Sequence, residues 1–399
     1  MYTLDPARQS RSVFFILVLL AVVGPLSIDL LAPSLPDMAY EFNASVALTQ
    51  GMVTLFMVGF ALSMLTVGPL ANRFGHKRVL LCGYAVYLAV TAAMLLTSHM
   101  EVMVVLRFVQ ALAGCFGTAL SRAIAMDLYK DRNDIRILAL ISSALVLVPT
   151  LAPVAGGFIH QAWGWQTHFA VMIALGTVLF AAVFLLPVKP AHKHTGSDRA
   201  NGAFKQMAAL LQDGRFVKPA LSAAFAFSGA FVFIVGAPFA LIEQQHLSPV
   251  QFGLVVCLVM SAFMASSALA GRLTDGRDRH KMTRLAASVL FLGAVLAVVT
   301  ALWGGGIGLV GFIVGMMVYE VGLGIFIPLC QSSAFSHLEG DTATAAGFLF
   351  FVEMLVAGVA SLVIGQVGPH STVNLGGVTL CLALLAFVGI AGGRPRTAK

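Results

Sequence analysis

Four ionisable residues lie inside long apolar stretches of this sequence. They are three acids, Asp29, Glu320 and Glu353, and one base, Arg107. An ionised side chain in the middle of a bilayer costs about 2.5–3.5 kcal/mol on insertion scales, so such residues are paired, neutral or placed in a water-filled cavity. A buried acid that alternates between its charged and neutral forms can carry a proton. We therefore interpret these four residues as candidates for proton coupling.

The surroundings of Asp29 favour that interpretation. Pro25 and Pro33 each lie one helical turn away from it. Proline removes a backbone hydrogen bond, so we expect a kinked helix with locally polar backbone at this acid. The functional interpretation of Asp29 is a proton carrier. The structural alternative is a carboxylate that bonds the backbone amides freed by the kink.

Arg107 is a permanent cation inside an apolar stretch. It can pair with an acid and make proton release depend on conformation, or it can form a static buried ion pair. Gln110 follows three residues later on the same helix face, and it is a candidate for a hydrogen bond to substrate or for simple packing. Glu320 lies among glycines, and Glu353 lies in the following apolar stretch.

Phenylalanines supply a candidate apolar wall for a ligand. Phe56 and Phe60 are four residues apart and so share a helix face, and Phe231 lies in a second phenylalanine-rich stretch. We assign these three residues to substrate binding. The alternative is that they pack in the protein or face lipid.

The elements that must position these residues are membrane-spanning helices. The chain has 399 residues, is 59% hydrophobic and only 10% charged, and has a mean hydropathy of +0.93. A soluble domain carries about 25% charged residues, so the outer surface is lipid-facing, and each helix needs about 20 apolar residues to cross. Twelve helices are predicted, at 12–35, 49–71, 77–97, 102–128, 136–160, 168–188, 218–243, 250–272, 281–303, 306–331, 342–367 and 373–392.

The distribution of basic residues supports this count. Of the 24 Lys and Arg residues, all but Arg107 and Arg122 fall at the two termini or in every second loop between the predicted helices. Basic residues mark the cytoplasmic side of a membrane protein, so they indicate topology here rather than nucleic-acid binding. Both termini are predicted to be cytoplasmic, in a bacterial-type inner membrane.

The chain is predicted to have two six-helix halves, at 1–188 and 218–399, joined by a hydrophilic cytoplasmic linker at 189–217. A short repeat supports this division, because the Gly68-Pro-Leu-Ala-Asn stretch at the end of helix 2 matches Gly271-Arg-Leu-Thr-Asp at the end of helix 8. Parallel halves with a substrate site between them are a recurring transporter design.

Several stretches resemble motifs of the major facilitator superfamily. The stretch 68–78 resembles the signature between helices 2 and 3, the stretch 106–114 resembles the helix 4 motif of its proton-coupled antiporters, and 149–157 resembles their helix 5 motif. Asp29 with the following Pro33 and Pro36 is similar to the helix 1 motif of twelve-helix drug exporters. The segment 142–169, with its Gly164-Trp-Gln turn, resembles the Bcr/CflA group, which includes chloramphenicol and florfenicol exporters.

The resemblance implies an all-α fold of two pseudo-symmetric six-helix halves and a conformational role for the motif residues. These residues are Gly68, Asn72, Arg73, Gly75, Arg78, Pro149, Pro153, Gly156 and Gly157. The sequence departs from the family pattern at Asn72, where the signature normally has an aspartate, so the ionic switch of that loop is in question. The resemblance also places helices 1, 4, 7 and 10 around the cavity.

The resulting hypothesis is an antiporter that exchanges inward protons for an outgoing amphipathic small molecule. Its partners are substrate, protons and the lipid bilayer, and we expect a monomer. The proton motive force replaces any cofactor, and the sequence has no motif for a metal site or for enzyme catalysis. The alternatives are an exporter of an endogenous metabolite such as a siderophore, a non-transporting membrane sensor, and an intramembrane enzyme.

Overall fold

The structure is a computed structural model that describes residues 6–128, 134–186, 206–336, 338, 342–368 and 371–391. Within these ranges the regular structure is entirely helical. A helix satisfies every backbone N–H and C=O internally, which is why apolar sequence of this kind adopts it in lipid. Twelve of the helices in these ranges are long and apolar enough to cross a membrane.

The twelve spans, α1 to α12, correspond in order to the twelve predicted helices. Two of them have a change of geometry, because α4 is interrupted at Cys115 and α7 continues into a π-helical turn at Phe239–Gln244. The bounds are α1 Pro6–Asp29, α2 Val46–Phe74, α3 His76–Leu96, α4 Met100–Gly114 and Phe116–Leu128, α5 Asp134–Trp163, α6 Gln166–Leu185, α7 Gly214–Pro238, α8 Pro249–Thr274, α9 Arg279–Ala301, α10 Gly305–Phe335, α11 Thr342–Val367 and α12 Thr372–Ala391.

Because the number of spans is even, α1 begins and α12 ends at the same end of the bundle. We call this the terminal end, and the opposite end the distal end. Six loops therefore lie at the distal end: α1–α2, α3–α4, α5–α6, α7–α8, α9–α10 and α11–α12.

Local signals in the sequence set several of the helix starts. The Ser45 hydroxyl accepts a hydrogen bond from Leu48 N at 3.2 Å and begins α2, and Ser248 with Gln251 forms a capping box at the start of α8. Both are N-cap patterns that satisfy free backbone amides. In the α8–α9 loop, hydrogen bonds from the backbone amides of Lys281 and His280 lower the pKa of the Asp278 carboxyl.

The prediction of one continuous helix over 12–35 is wrong in its last turn. The α-helix of α1 ends at Asp29, and a 3₁₀ turn at Ala32–Ser34 and a short helix at Leu35–Glu41 follow it. Pro33 and Pro36 stand at the second positions of these two elements, within the first turn of each. Proline lacks the N–H that would continue the preceding helix but suits the first turn of a new one. We call residues 32–41 the distal segment.

The predicted linker, 189–217, lies mostly outside the described residues, which exclude 187–205. Its last part is helical, because residues 206–212 form a short helix and α7 begins at Gly214 rather than at position 218. Asp213 starts α7 by accepting a hydrogen bond from Arg215 N at 2.9 Å.

The helices pack mainly within α1–α6 and within α7–α12, and two pairs, α2 with α11 and α5 with α8, make most of the contact between these sets. Along α2 and α11, the Thr54 and Ser361 hydroxyls share a hydrogen bond of 2.7 Å, and the Phe60 and Phe350 rings meet edge to face at 5.2 Å. The distal segment adds contacts to α7, α8 and the π-helical turn. The two sets are therefore in contact at the distal end in this structure.

Candidate proton and substrate site

Arg107 is the centre of a buried polar network in α4. Its side chain is 1% exposed, and Nη1 donates to Gln110 Oε1 at 2.7 Å and to the backbone carbonyl of Ser27 at 3.2 Å. Gln110 Nε2 in turn donates to Thr91 Oγ1 at 2.7 Å. The helical spacing that puts Arg107 and Gln110 on one face of α4 thus lets the amide orient the guanidinium and link it to α3.

Two aromatic rings cover the guanidinium. The Arg107 carbon Cζ lies 5.6 Å from the centre of the Phe56 ring and 5.2 Å from that of the Phe169 ring. Aromatic faces attract a cation more strongly when water is excluded, which helps to stabilise a charge that would otherwise be costly in this position. Phe56 therefore contacts the base predicted for proton coupling, rather than lining an open wall.

Arg107 forms no ion pair with a carboxylate among the described residues. The sequence predicted that Arg107 can pair with an acid, and in this state neither Asp29 nor Glu320 is hydrogen-bonded to it. Its Nε and Nη2 atoms are buried without a hydrogen-bond partner in the described part of the chain. Two N–H groups of a fixed cation are thus free to bind an acceptor.

Asp29 is the last residue of the α-helical part of α1 and is 5% exposed. The α-helix ends there, and the chain continues into the 3₁₀ turn through hydrogen bonds from Leu30 N to Leu26 O at 3.0 Å and from Leu31 N to Ile28 O at 3.1 Å. The Ser27 hydroxyl, two residues earlier, bonds the Val23 carbonyl at 2.7 Å and the Tyr87 hydroxyl at 2.9 Å. The end of α1 is thereby tied to α3 and, through the Ser27 carbonyl, to Arg107.

Side chains of the α1 end, α2 and α4 fill the space beside this network. They leave a gap with no room for a water molecule, lined by Ile28, Leu31, Met52, Val53, Phe56 and Arg107. Ile28 directly precedes Asp29, so the gap adjoins the region of the acid. Sites for drug-sized ligands measure about 300–1,000 Å³, so no such ligand fits here in the present state.

Glu320 lies in the middle of α10 and is 1% exposed, and its Oε1 atom has no hydrogen-bond partner among the described residues. The neighbouring Tyr319 hydroxyl donates to the Ala226 carbonyl of α7 at 2.6 Å. That bond passes over Gly229, where an added Cβ would collide with the tyrosine. Glu320 is therefore held in a rigid contact between α7 and α10, on the opposite set of helices from Arg107.

Glu353 in α11 is buried and accepts a hydrogen bond from Gln331 Nε2 of α10 at 3.2 Å. Phe231 of α7 is also buried, and its ring stacks on that of Phe227 with centres 6.0 Å apart. Neither residue contacts the Arg107 network. The structure thus groups Arg107, Gln110 and Phe56 near Asp29, and places Glu320, Glu353 and Phe231 in the other six helices.

The helix 5 motif lies where α5 meets both α1 and α8. An added Cβ on Gly156 would collide with the Leu30 carbonyl, and one on Gly157 with the Pro249 carbonyl of α8. The packing is reciprocal, since a Cβ on Gly253 of α8 would lie 2.6 Å from the Pro153 carbonyl. Pro153, Gly156 and Gly157 thus lie at close backbone approaches between helices, and their conformational role stays a prediction. Pro149 lies within the same helix.

The loop 2–3 motif caps the terminal end of α2. Gly75 ends the helix with φ +86°, a conformation that favours glycine. The side chains of Asn72, Arg73 and Arg78 are exposed, as is Gly68, and the Arg73 guanidinium lies 5.1 Å from the centre of the Phe74 ring. Asn72 has no hydrogen bond to another described residue, so no contact replaces the family's aspartate in this state.

Sequence reasoning missed a second polar cluster at the distal end. The distal segment bonds to α5 and α6 through three side-chain pairs: Ser34 with His168 at 2.7 Å, Asp37 with His160 at 2.7 Å, and Glu41 with Trp165 at 2.6 Å. The partners are more than 120 residues apart in sequence. The one sequence signal for their contact was that all of these helix ends lie on the same side of the membrane.

The twelve spans, the two contact pairs between their sets and the buried charged network define a polytopic membrane transporter. The profile of the Major Facilitator Superfamily matches residues 17–361, and the chain belongs to this family. The fold of the nucleoside transporter NupG superposes with a TM-score of 0.76 over 96% of this chain and 99% of that one, at 13% identity.

Two relatives indicate which branch of the superfamily the chain is similar to. It is 27% identical to the uncharacterized MFS-type transporter YdgK of Bacillus subtilis over 98% of both chains. It is 26% identical to the multidrug transporter MdfA of Yersinia pestis over 77% of this chain and 75% of that one.

Proposed function

We propose that the protein is a proton-coupled exporter of amphipathic small molecules such as antibiotics, of the Bcr/CflA-like drug:proton antiporter type. It works by alternating access in the inner membrane, as a monomer, and catalyses no covalent chemistry. The proton motive force is its energy source, since a membrane potential supplies about 2.3 kcal/mol per charge per 100 mV.

The Arg107 network beside the broken end of α1 carries this proposal. A fixed cation with two unpartnered N–H groups lies in one small region with Asp29, a buried acid at a helix end. Movement of α1 relative to α4 brings the acid toward or away from the cation, and the cation stabilises the charged form of the acid only when the two are close. Proton release is thereby tied to conformation.

The relatives and the close packing at Arg107 support the cargo and the cycle. MdfA, to which the chain is similar, is named a multidrug transporter. The distal contacts through α5, α8 and the distal segment close one end of the site, and the side chains around Arg107 leave no room for a drug-sized molecule. Export then requires the distal end to open and the site to widen.

The orientation gives a first testable prediction. A reporter active only in the cytoplasm is expected to give signal after Lys399 or near position 196, because the basic residues cluster at that end. A reporter active only in the periplasm is expected to give signal near Ser371, in the α11–α12 loop. The reverse pattern at these three positions would contradict the orientation.

The second prediction tests proton coupling. Asp29→Asn keeps the size and hydrogen-bonding capacity of the side chain but cannot bind and release a proton, so efflux driven by a pH gradient is expected to fall to background. Efflux of a chemically diverse compound panel is measured in a pump-deficient host. Asp29→Glu is expected to retain part of the activity, and Glu101→Gln, at an exposed acid of α4, is the matched control.

Two outcomes of that assay oppose the proposal in different ways. Wild-type efflux that is insensitive to a protonophore would exclude proton coupling altogether. Normal efflux by Asp29→Asn, with wild-type efflux still sensitive, would move the proton site to Glu320 or Glu353.

A further inference from the structure

The distal segment is the element through which α1 reaches the other six helices. It contacts α7, α8 and the π-helical turn Phe239–Gln244, so it must move when the distal end opens. It is also bonded to its own set of helices by the three pairs that involve Ser34, Asp37 and Glu41. A change in the strength of these three bonds therefore changes how the distal segment contacts helices α7–α12.

Two of the three pairs contain a histidine. His160 Nε2 lies 2.7 Å from Asp37 Oδ2, and His168 Nε2 lies 2.7 Å from Ser34 Oγ. The two imidazole rings stack at 6.2 Å between centres, with 22° between their planes. Both Nδ1 atoms are buried without a partner among the described residues. The two rings therefore form one buried unit rather than two independent surface histidines.

The position of this unit gives it access to protons from the distal side. The Asp37 side chain is 64% exposed, whereas that of His160 is 7% exposed. A proton can therefore reach His160 through an accessible carboxylate to which the ring is already hydrogen-bonded. Histidine is the side chain whose charge ordinarily changes between about pH 5 and 8.

We propose that His160, with Asp37, is a proton-binding site of the distal gate, separate from Asp29, and that its protonation strengthens the closed state of the distal end. This proposal rests on the proposed orientation, in which the distal end faces the outer side of the membrane. Neither the family profile nor the relatives assign a role to these residues.

The sign of the effect follows from the partners. A protonated His160 donates a charge-assisted hydrogen bond to the Asp37 carboxylate, which is stronger than the bond from a neutral ring. Two stacked imidazolium rings would repel each other, so the pair holds at most one proton, and we assign it to His160, the ring that is bonded to a carboxylate. This charged form holds the distal segment in the position seen here, with the distal end closed.

The charged and titratable groups around His160 come from several elements. They are Asp37 and Glu41 on the distal segment, His168 on α6, whose ring stacks on that of His160, and Arg107 on α4, whose charge acts on His168. Glu41 is bonded to Trp165 Nε1. Asp37 is the carboxylate bonded to the His160 ring, at 2.7 Å, which makes His160–Asp37 the pair to test.

Such a site suits an antiporter that moves protons inward. After substrate leaves on the outer side, a proton taken up from that side at His160 favours closure, so the empty carrier returns when the outer side is acidic. The site controls the gate, whereas Asp29 carries the coupled proton.

The experiment measures closure directly, without substrate or gradient. Spin labels are placed at Tyr40→Cys in the distal segment and Gln244→Cys in the π-helical turn, both exposed, with Cys82, Cys257 and Cys381 replaced by serine. The distribution of distances between the labels is recorded in lipid nanodiscs from pH 5 to 8. We expect the ratio of closed to open protein to rise by roughly three- to tenfold from pH 8 to pH 5. The effect is limited to this size because solvent around the exposed Asp37 side chain weakens its bond to a protonated histidine.

The variants separate this site from other titrating groups. His160→Gln keeps a donor toward Asp37 but does not titrate, and it is expected to reduce or abolish the pH response. Asp37→Asn, at a mainly exposed position where misfolding is a lesser concern, is expected to do the same. His99→Gln removes an exposed histidine of the same end and is expected to keep the wild-type response.

A wild-type distance distribution that does not change with pH would overturn the proposal. So would a response in both His160→Gln and Asp37→Asn that equals that of the wild type, because the proton then binds elsewhere, for example at Asp29. The distance measurement needs neither substrate nor gradient, so its result tests this proposal even if the efflux assay shows no drug export.

Discussion

Replacing Arg107 with alanine is expected to abolish transport, and replacing it with lysine to abolish most of it. Hydrogen bonds to a charged group are worth about 1.5–3 kcal/mol each, and Arg107 makes two, to Gln110 and to the Ser27 carbonyl. We therefore expect a loss of transport rate of at least about a hundredfold in the alanine variant. Lysine is a point charge and cannot fill the planar space between Phe56 and Phe169 while keeping both bonds.

The measurement is efflux rate, normalised to the amount of folded protein in the membrane. Arg122→Ala changes an exposed arginine of the same helix and is expected to cost much less. Substrate binding in detergent is then titrated with pH for the wild type and for Arg107→Ala. An identical titration midpoint in the two proteins would show that Arg107 does not control the proton site and is only structural.

Adding a single methyl group at Gly156 is expected to reduce transport by at least about fivefold. The Cβ of Gly156→Ala would collide with the Leu30 carbonyl, next to Asp29, so α5 must move away from α1. Overpacking of this kind typically costs about 1–3 kcal/mol, and here the cost falls on the state in which the distal end is closed. A bias of that size changes the balance of two states by roughly 5- to 150-fold.

Gly377→Ala is the matched control, because nothing lies within 4 Å of a Cβ at that position of α12. It is expected to transport like the wild type. Thermal unfolding in detergent is measured for both variants and is expected to show a lower midpoint for Gly156→Ala only. If the two variants had equal transport rates and equal unfolding midpoints, the close packing of Gly156 against the Leu30 carbonyl would not be needed for transport.

Much of the fold could be predicted because its signals are local or repeated. An apolar stretch long enough to cross a bilayer is visible in sequence, and the twelve spans follow from it. Gly156 and Gly157 were assigned a packing role from their motif, and the structure places both at close backbone contacts. The break after Asp29 was only half predicted: the prolines indicated a kink, but the kink proved to be the end of the α-helix.

The partners of buried polar groups could not be predicted, because they depend on which helices are neighbours. Arg107 was expected to face a carboxylate, and instead it binds an amide, a carbonyl and two rings. His160 and His168 looked like ordinary residues near helix ends. Their significance arises only when α5, α6 and the distal segment meet, which no periodicity within one helix reveals.

The contact between Phe60 and Phe350 has a consequence for how this protein can evolve. The two rings join α2 to α11, at 5.2 Å between centres, and Phe60 was also predicted to touch substrate. An aromatic pair of this kind is worth about 0.5–1.5 kcal/mol. Under the proposed export function, a mutation at Phe60 that changes which compounds fit the site therefore also changes how readily the two halves separate. Selection at this position then acts on substrate range and on transport rate together.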